Sequence, residues 1–165
     1  MRVLVALLLV FSTQAVASDV MGLMQGYEWE VPSEPLSIAN AEQALIEISS
    51  DPGQPNFIRA PASAALTLYP SVRVWNFFVG QVASPSTKVS LRRTVDGPCA
   101  TFVAIKAADV QKLLMPFLSN EDPHLRVRVA KCLQQIDSEE AQTALSAYRS
   151  GIGEGWEFDA SVLSR

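Results

Sequence analysis

The chain has 165 residues, with 13 Lys and Arg against 17 Asp and Glu and a formal charge of −4. That acidic balance argues against general nucleic-acid binding, which needs a basic footprint. A hydrophobic share of 48% with only 18% charged residues argues against a disordered chain and leaves room for one domain with a real core.

Residues 1–17 read as a secretory signal peptide. Arg2 supplies a short positive start, Val3 to Phe11 is apolar and uncharged, and Ser12, Thr13 and Gln14 lead into Ala15-Val16-Ala17. The small-x-small ending suits a signal peptidase, whose pocket admits only small side chains, and places cleavage after Ala17. The apolar run is too short for a bilayer, which takes about 20 residues. No Cys stands at the start of the remaining chain to carry a lipid, and no later stretch reads as a membrane span. The expected location is periplasmic or secreted. Loss of Arg2 takes the formal charge from −4 to −5.

Residues 18–37, with Tyr27, Trp29, Pro32 and Pro35, read as an irregular N-terminal segment. A first helix pair is expected over 39–50 and 56–68, with Ala44, Leu45 and Ile48 facing Ile58, Ala62, Ala65 and Leu66. The next helix, 71–82, carries the stripe Val72, Trp75, Phe78, Val79 and Val82. Phe77 adjoins Phe78, so it cannot share that buried face and should be partly exposed. Asp96-Gly97-Pro98 falls inside the following helical pattern. Gly costs about 1 kcal/mol and Pro about 3 kcal/mol in a helix interior, which predicts a break near Gly97 and a restart at Pro98. Residues 109–118 form a further helix, with Val110, Leu113, Leu114, Phe117 and Leu118 inward. Leu125, Val129, Leu133 and Ile136 make the apolar face of the next, and Ser138 caps a last helix to Arg149 with Glu139 and Glu140 in its first turn. Residues 151–165 are a tail containing Gly151, Gly153, Gly155, Trp156 and Phe158.

These helices repeat. Ile58-Arg59, Leu91-Arg92 and Leu125-Arg126 recur at spacings of 33 and 34 residues. Each Arg is followed at +3 by Ala62, Val95 or Val129, and at +7 by Leu66, Cys99 or Leu133. Asp51-Pro52, Ser84-Pro85 and Asp122-Pro123 precede the three copies, as polar N-cap and first-turn proline. The run Leu113 to Leu118, then Asn120-Glu121-Asp122-Pro123-His124-Leu125-Arg126, Val129-Ala130, Leu133 and Glu139-Glu140-Ala141 resembles a HEAT repeat of the short, phycobilisome-lyase-like kind. The resemblance covers about 105–150 well and about 38–104 more loosely. It implies an all-α fold: a short right-handed α-solenoid of stacked antiparallel helix pairs, about three repeats over 38–150. It also implies that Arg59, Arg92 and Arg126 are structural, pairing with acids or carbonyls of neighbouring turns. Stacked pairs bury faces that none can bury alone, and they offer a surface suited to protein recognition.

No residue set calls for catalysis, a metal or a cofactor. His124 is the single histidine and falls in the first turn of a helix, where a solvated role is the simple reading. No Gly-x-Ser-x-Gly elbow or phosphate loop is present. The even cysteine count of an exported chain invites a Cys99–Cys132 disulfide. Against it, the repeat columns align Cys99 with Leu133, and helix axes about 8–10 Å apart argue against a bond that needs Cα atoms within about 7 Å. Two buried free thiols are therefore favoured and the bonded pair stays open. Arg128, Lys131 and Gln135 share one helix face at i, i+3 and i+7, either as a solvated stripe or as a basic patch for an acidic partner. The function expected is an exported, non-enzymatic scaffold or adaptor that binds another protein. A lyase-like enzyme is one alternative, disfavoured because the phycobilisome lyases it resembles act in the cytoplasm. A structural part of a cell-envelope assembly is the other.

Overall fold

The structure, a computed structural model, describes residues 16, 19–24, 33–84, 88–152 and 159. The signal-peptide reading of 1–17 lies outside the described residues apart from Val16, and so do Pro85 and most of the tail. The described chain is all-α, with no strand among the described residues. It divides into two compact units, Met1–Val74 and Trp75–Arg165. No helix among the described residues is long and apolar enough to cross a membrane.

The first unit is built on α1 (Ala41–Ser50) packed against α2 (Asn56–Ala65), which tightens into a 3-10 turn at Leu66–Leu68. Ala44, Leu45 and Ile48 are buried from one side, and Ile58, Ala62, Ala65 and Leu66 from the other. Alanines at the contact let the two backbones approach, and the aliphatic side chains fill what remains. Residues 19–24 are helical, where the sequence reads as irregular, and Val20 and Met24 on successive turns are fully buried. An apolar i, i+4 pair suffices to seat a short helical turn once a core exists to receive it. Asp51-Pro52 does not start α2. The Asp51 carboxylate instead accepts the Gly53 N–H at 2.8 Å in a local turn, and α2 begins after Pro55. The Tyr69 hydroxyl accepts the Leu36 N–H at 2.8 Å; burial pushes its pKa up and outweighs the lowering effect of that bond.

The second unit starts within α3 (Val72–Ala83) and continues through α4 (Lys88–Thr94), α5 (Asp96–Leu114), a 3-10 turn at Met115–Ser119, α6 (Pro123–Leu133) and α7 (Glu139–Ser150). Val74, Phe78 and Val82 form the buried stripe of α3; Val72 is 70% exposed, a correction to the expected stripe. The fully buried stripe is 74-78-82 at i, i+4 spacing, with Trp75 and Val79 half-buried beside it. Phe77 and Trp75 are half-buried. Trp75 meets Phe102 edge to face at 5.2 Å between ring centroids.

The break expected near Gly97 falls at Val95, and the helix restarts at Asp96 rather than Pro98. Only Val95, itself helical in backbone angles, separates α4 from α5; Gly97 and Pro98 then lie in the first turn of the new helix. Proline is tolerated there because its missing N–H has no partner to lose. The real kink of α5 is at Lys106, with φ −142° and ψ 39°. Gly97 is required for a different reason: a Cβ on it would overlap the Phe78 ring. Its hydrogen is what lets α5 lie against α3.

α6 lies at the centre of this unit, in contact with α4, α5, α7 and the 3-10 turn before it. Asp122 caps it, accepting the His124 N–H at 3.0 Å, with Pro123 at the first position. The same carboxylate pairs with Arg92. Burial alone would raise the Asp122 pKa, but the hydrogen bond and charge of Arg92, with the N–H groups of His124 and Leu125, outweigh it and hold the carboxyl below its usual range. Ser138 caps α7 by accepting the Ala141 N–H at 3.0 Å and donates to the buried Gln111 at 2.5 Å. Gln111 in turn donates to Glu140 at 2.6 Å.

The three recurrent arginines all bond inward. Arg59 donates from Nε to the Ser49 carbonyl at 3.2 Å, and Arg92 meets Asp122. Arg126 is 3% exposed and grips Asp159, which is fully buried, through two parallel bonds of 2.9 and 2.8 Å. Its Nη1 donates to the carbonyls of Asn120 and Glu121 at 2.8 and 3.1 Å. The buried Tyr148 hydroxyl donates to the same Asp159 carboxylate. Burial first, then the neighbouring carboxylate, pushes the Tyr148 pKa up, so the phenol keeps the proton it donates. The hydrogen bonds that Arg126 donates to Asp159 push the Arg126 pKa up as well. A residue of the expected tail is therefore a core residue of this unit.

Gly97→Ala tests the α3–α5 contact with opposing signs. Helix propensity alone favours Ala by up to about 1 kcal/mol, whereas overlap with Phe78 costs about 1–3 kcal/mol. The expected outcome in urea denaturation is net destabilisation, and an unchanged or higher midpoint would refute the close approach.

Candidate functional site

A groove of about 510 Å³ runs along the face of the second unit where α5 and α6 meet. The first turns of α5 contribute Asp96, Cys99 and Ala100. α6 contributes His124, Val127, Arg128, Lys131 and Cys132, and Gln135 follows its end. The spacing of the α6 residues, near multiples of three and four, lines them along one side of the helix. The opposite side carries Leu125, Arg126, Val129 and Leu133 into the core. One helix thus presents its anchoring arginine inward and its basic stripe outward.

Arg128, Lys131 and Gln135, singled out from periodicity, are all exposed and line this groove together. Arg128 pairs with Asp96 across it. The side chains of that pair are 45% and 50% exposed, and such an ion pair contributes only about 0–1 kcal/mol. It therefore opens at little cost, and Arg128 can turn to another anion. The packed protein around Asp96 pushes its carboxyl pKa up, and the pull of Arg128 in the other direction does not cancel that shift. Gln135 Nε2 donates to the Lys131 carbonyl at 3.3 Å and to Cys99 Sγ at 3.5 Å.

Cys99 and Cys132 are joined as a disulfide, with Cα atoms 5.6 Å apart, and no free cysteine remains. The favoured expectation of two free thiols is corrected on two counts. An interaxial distance of 8–10 Å is not a Cα distance: Cα atoms sit about 2.3 Å off each axis, so facing ones approach to roughly 3.5–5.5 Å. The column alignment also compares positions along single helices, whereas the pairing is set by how α5 packs on α6. Cys99 is half-buried and Cys132 is 2% exposed, so the bond is reached from the groove through Cys99.

His124 is exposed, as its first-turn position implies, and it also joins the groove wall. Its position at −4 and −7 from Arg128 and Lys131 was the available signal. Arg59 belongs to the first unit, and Arg92 and Arg126 point away into structural contacts. Among the described residues no three His, Cys, Asp or Glu side chains gather as they would around a metal ion.

No protein-family model, no curated protein and no solved structure matches this chain.

Proposed function

We propose that this chain is an exported, non-enzymatic scaffold of HEAT-like helical repeats that binds an acidic segment of another protein in the α5–α6 groove. The single observation that carries the reading is the groove itself, in which Arg128 and Lys131 stand exposed on an otherwise acidic protein beside His124 and Gln135. Opposite charge concentrates an acidic partner there and raises its on-rate. The recurrent columns around Arg59, Arg92 and Arg126, and their shared habit of bonding to acids or carbonyls, favour a repeat architecture shaped as a short α-solenoid. The Cys99–Cys132 bond accords with an oxidising compartment, where such bonds persist. It adds support for export to the charged, apolar and small-residue pattern of residues 1–17.

Two measurements test this. Intact mass of protein recovered from its native source is expected to show a chain starting at Ser18; a chain retaining residues 1–17 would refute cleavage. Binding of an Asp- and Glu-rich peptide, followed by fluorescence anisotropy, is expected to weaken roughly fivefold for each of Arg128→Glu and Lys131→Glu, about 1 kcal/mol apiece. It should also fall with added salt. Unchanged affinity in both variants would remove the groove as the recognition surface.

A further inference from the structure

We propose that the Cys99–Cys132 disulfide is exchangeable, and that it captures thiol ligands bearing carboxylates, peptide or small-molecule, as a mixed disulfide at Cys99. This rests on the reading of the groove as an anion-binding site and adds a covalent step to it.

Three observations meet at one sulfur. The bond is more open at one end: both cysteines line the groove, but Cys99 is half-buried, whereas Cys132 is 2% exposed. Accessibility thus directs an incoming thiolate to Cys99. Cys99 lies in the first turns of a 19-residue helix, whose N-terminal end carries partial positive charge. Gln135 Nε2 donates to its Sγ at 3.5 Å, and Lys131 shares the wall with Arg128, whose guanidinium pairs with Asp96 there. Positive surroundings draw an anionic thiol ligand to the groove and steady the negative charge that passes from its sulfur to Cys132 during exchange, while accessibility decides that Cys99 is the sulfur attacked. A bond retained only for stability needs neither the opening nor the cationic lining.

The chemistry balances without an external oxidant. The ligand thiolate forms a bond to Cys99 Sγ, and the Cys99–Cys132 bond breaks. Its electron pair leaves on Cys132 Sγ, which takes a proton from solvent. The ligand sulfur and Cys99 are then the disulfide, and Cys132 is the thiol. Cys132 remains opposite Cys99, where the Cα atoms stand 5.6 Å apart, so its thiolate can attack Cys99 again and release the ligand. Capture is reversible, and its lifetime follows how well the groove holds the ligand.

The test uses the oxidised full chain at neutral pH with glutathione as probe. Samples are quenched by alkylation and read by intact mass and peptide mapping. The expected product carries glutathione on Cys99 and an alkylated Cys132. A cationic aminothiol at matched thiolate concentration should react about tenfold or more slowly at low salt. That gap should close in high salt and in Lys131→Glu, an exposed position that leaves the core intact. An adduct that forms only after urea unfolds the chain, an adduct on Cys132, or equal rates for the two thiols would each overturn the proposal. A cysteine-free acidic peptide separates the two readings. If it binds while glutathione does not exchange, the capture step fails and the groove stands; if neither occurs, both fail.

Discussion

A guanidinium buried beside a carboxylate is among the costliest arrangements a small domain can hold, and the second unit of this protein is organised around one. Arg126 and Asp159 are 3% and 0% exposed. Taking two such ions out of water costs several kcal/mol each, and their attraction offsets this only when the geometry is good and the remaining donors are satisfied. Both conditions are met. The pair is bidentate, Nη1 takes up the carbonyls of Asn120 and Glu121, and Tyr148 supplies a further donor to the carboxylate. Those carbonyls belong to the turn that leads into α6, and Tyr148 belongs to α7. One side chain therefore ties together the entry to α6, the end of α7 and the residue at 159.

The constraint fixes the direction of α6 as well as its position. With Arg126, Leu125, Val129 and Leu133 committed to the core, helical geometry leaves His124, Arg128, Lys131 and Gln135 on the outer side. The disulfide then holds the first turns of α5 along that side, and the groove is what lies between. Asp122 is used twice in the same economy of contacts, as the cap of α6 and as the partner of Arg92 from α4. The buried anchor of this unit and the wall of its groove are thus two sides of one eleven-residue helix.

Local signals were legible in the sequence wherever one helix settles the question. Asp122-Pro123 and Ser138 mark true helix starts, and the 125-129-133-136 stripe is buried as its period requires. The common face of Arg128, Lys131 and Gln135 follows from the same arithmetic. What could not be read depended on long-range partners. Asp159 carries no helical period that would mark it as core, because its burial is set by an arginine 33 residues earlier. Gly97 reads as a helix breaker until Phe78 is known to press against it. The cysteine pairing depends on the packing of α5 against α6, which brings the two Cα atoms to 5.6 Å and which repeat columns do not carry. Val72 and the helical turn at 19–24 were misread for the complementary reason: periodicity names an apolar face, but the surrounding protein decides whether that face is covered.

The central claim, that the Arg126–Asp159 pair is the interaction the second unit cannot leave half-made, is tested most directly by a double-mutant cycle. Arg126→Met, Asp159→Leu and the combined variant are compared with the parent chain by urea denaturation. Each single change strands one buried charge and is expected to cost about 3–5 kcal/mol, while the double variant removes both charges and should cost far less than the sum. Additive losses in the double variant, or single losses below about 1 kcal/mol, would contradict the account.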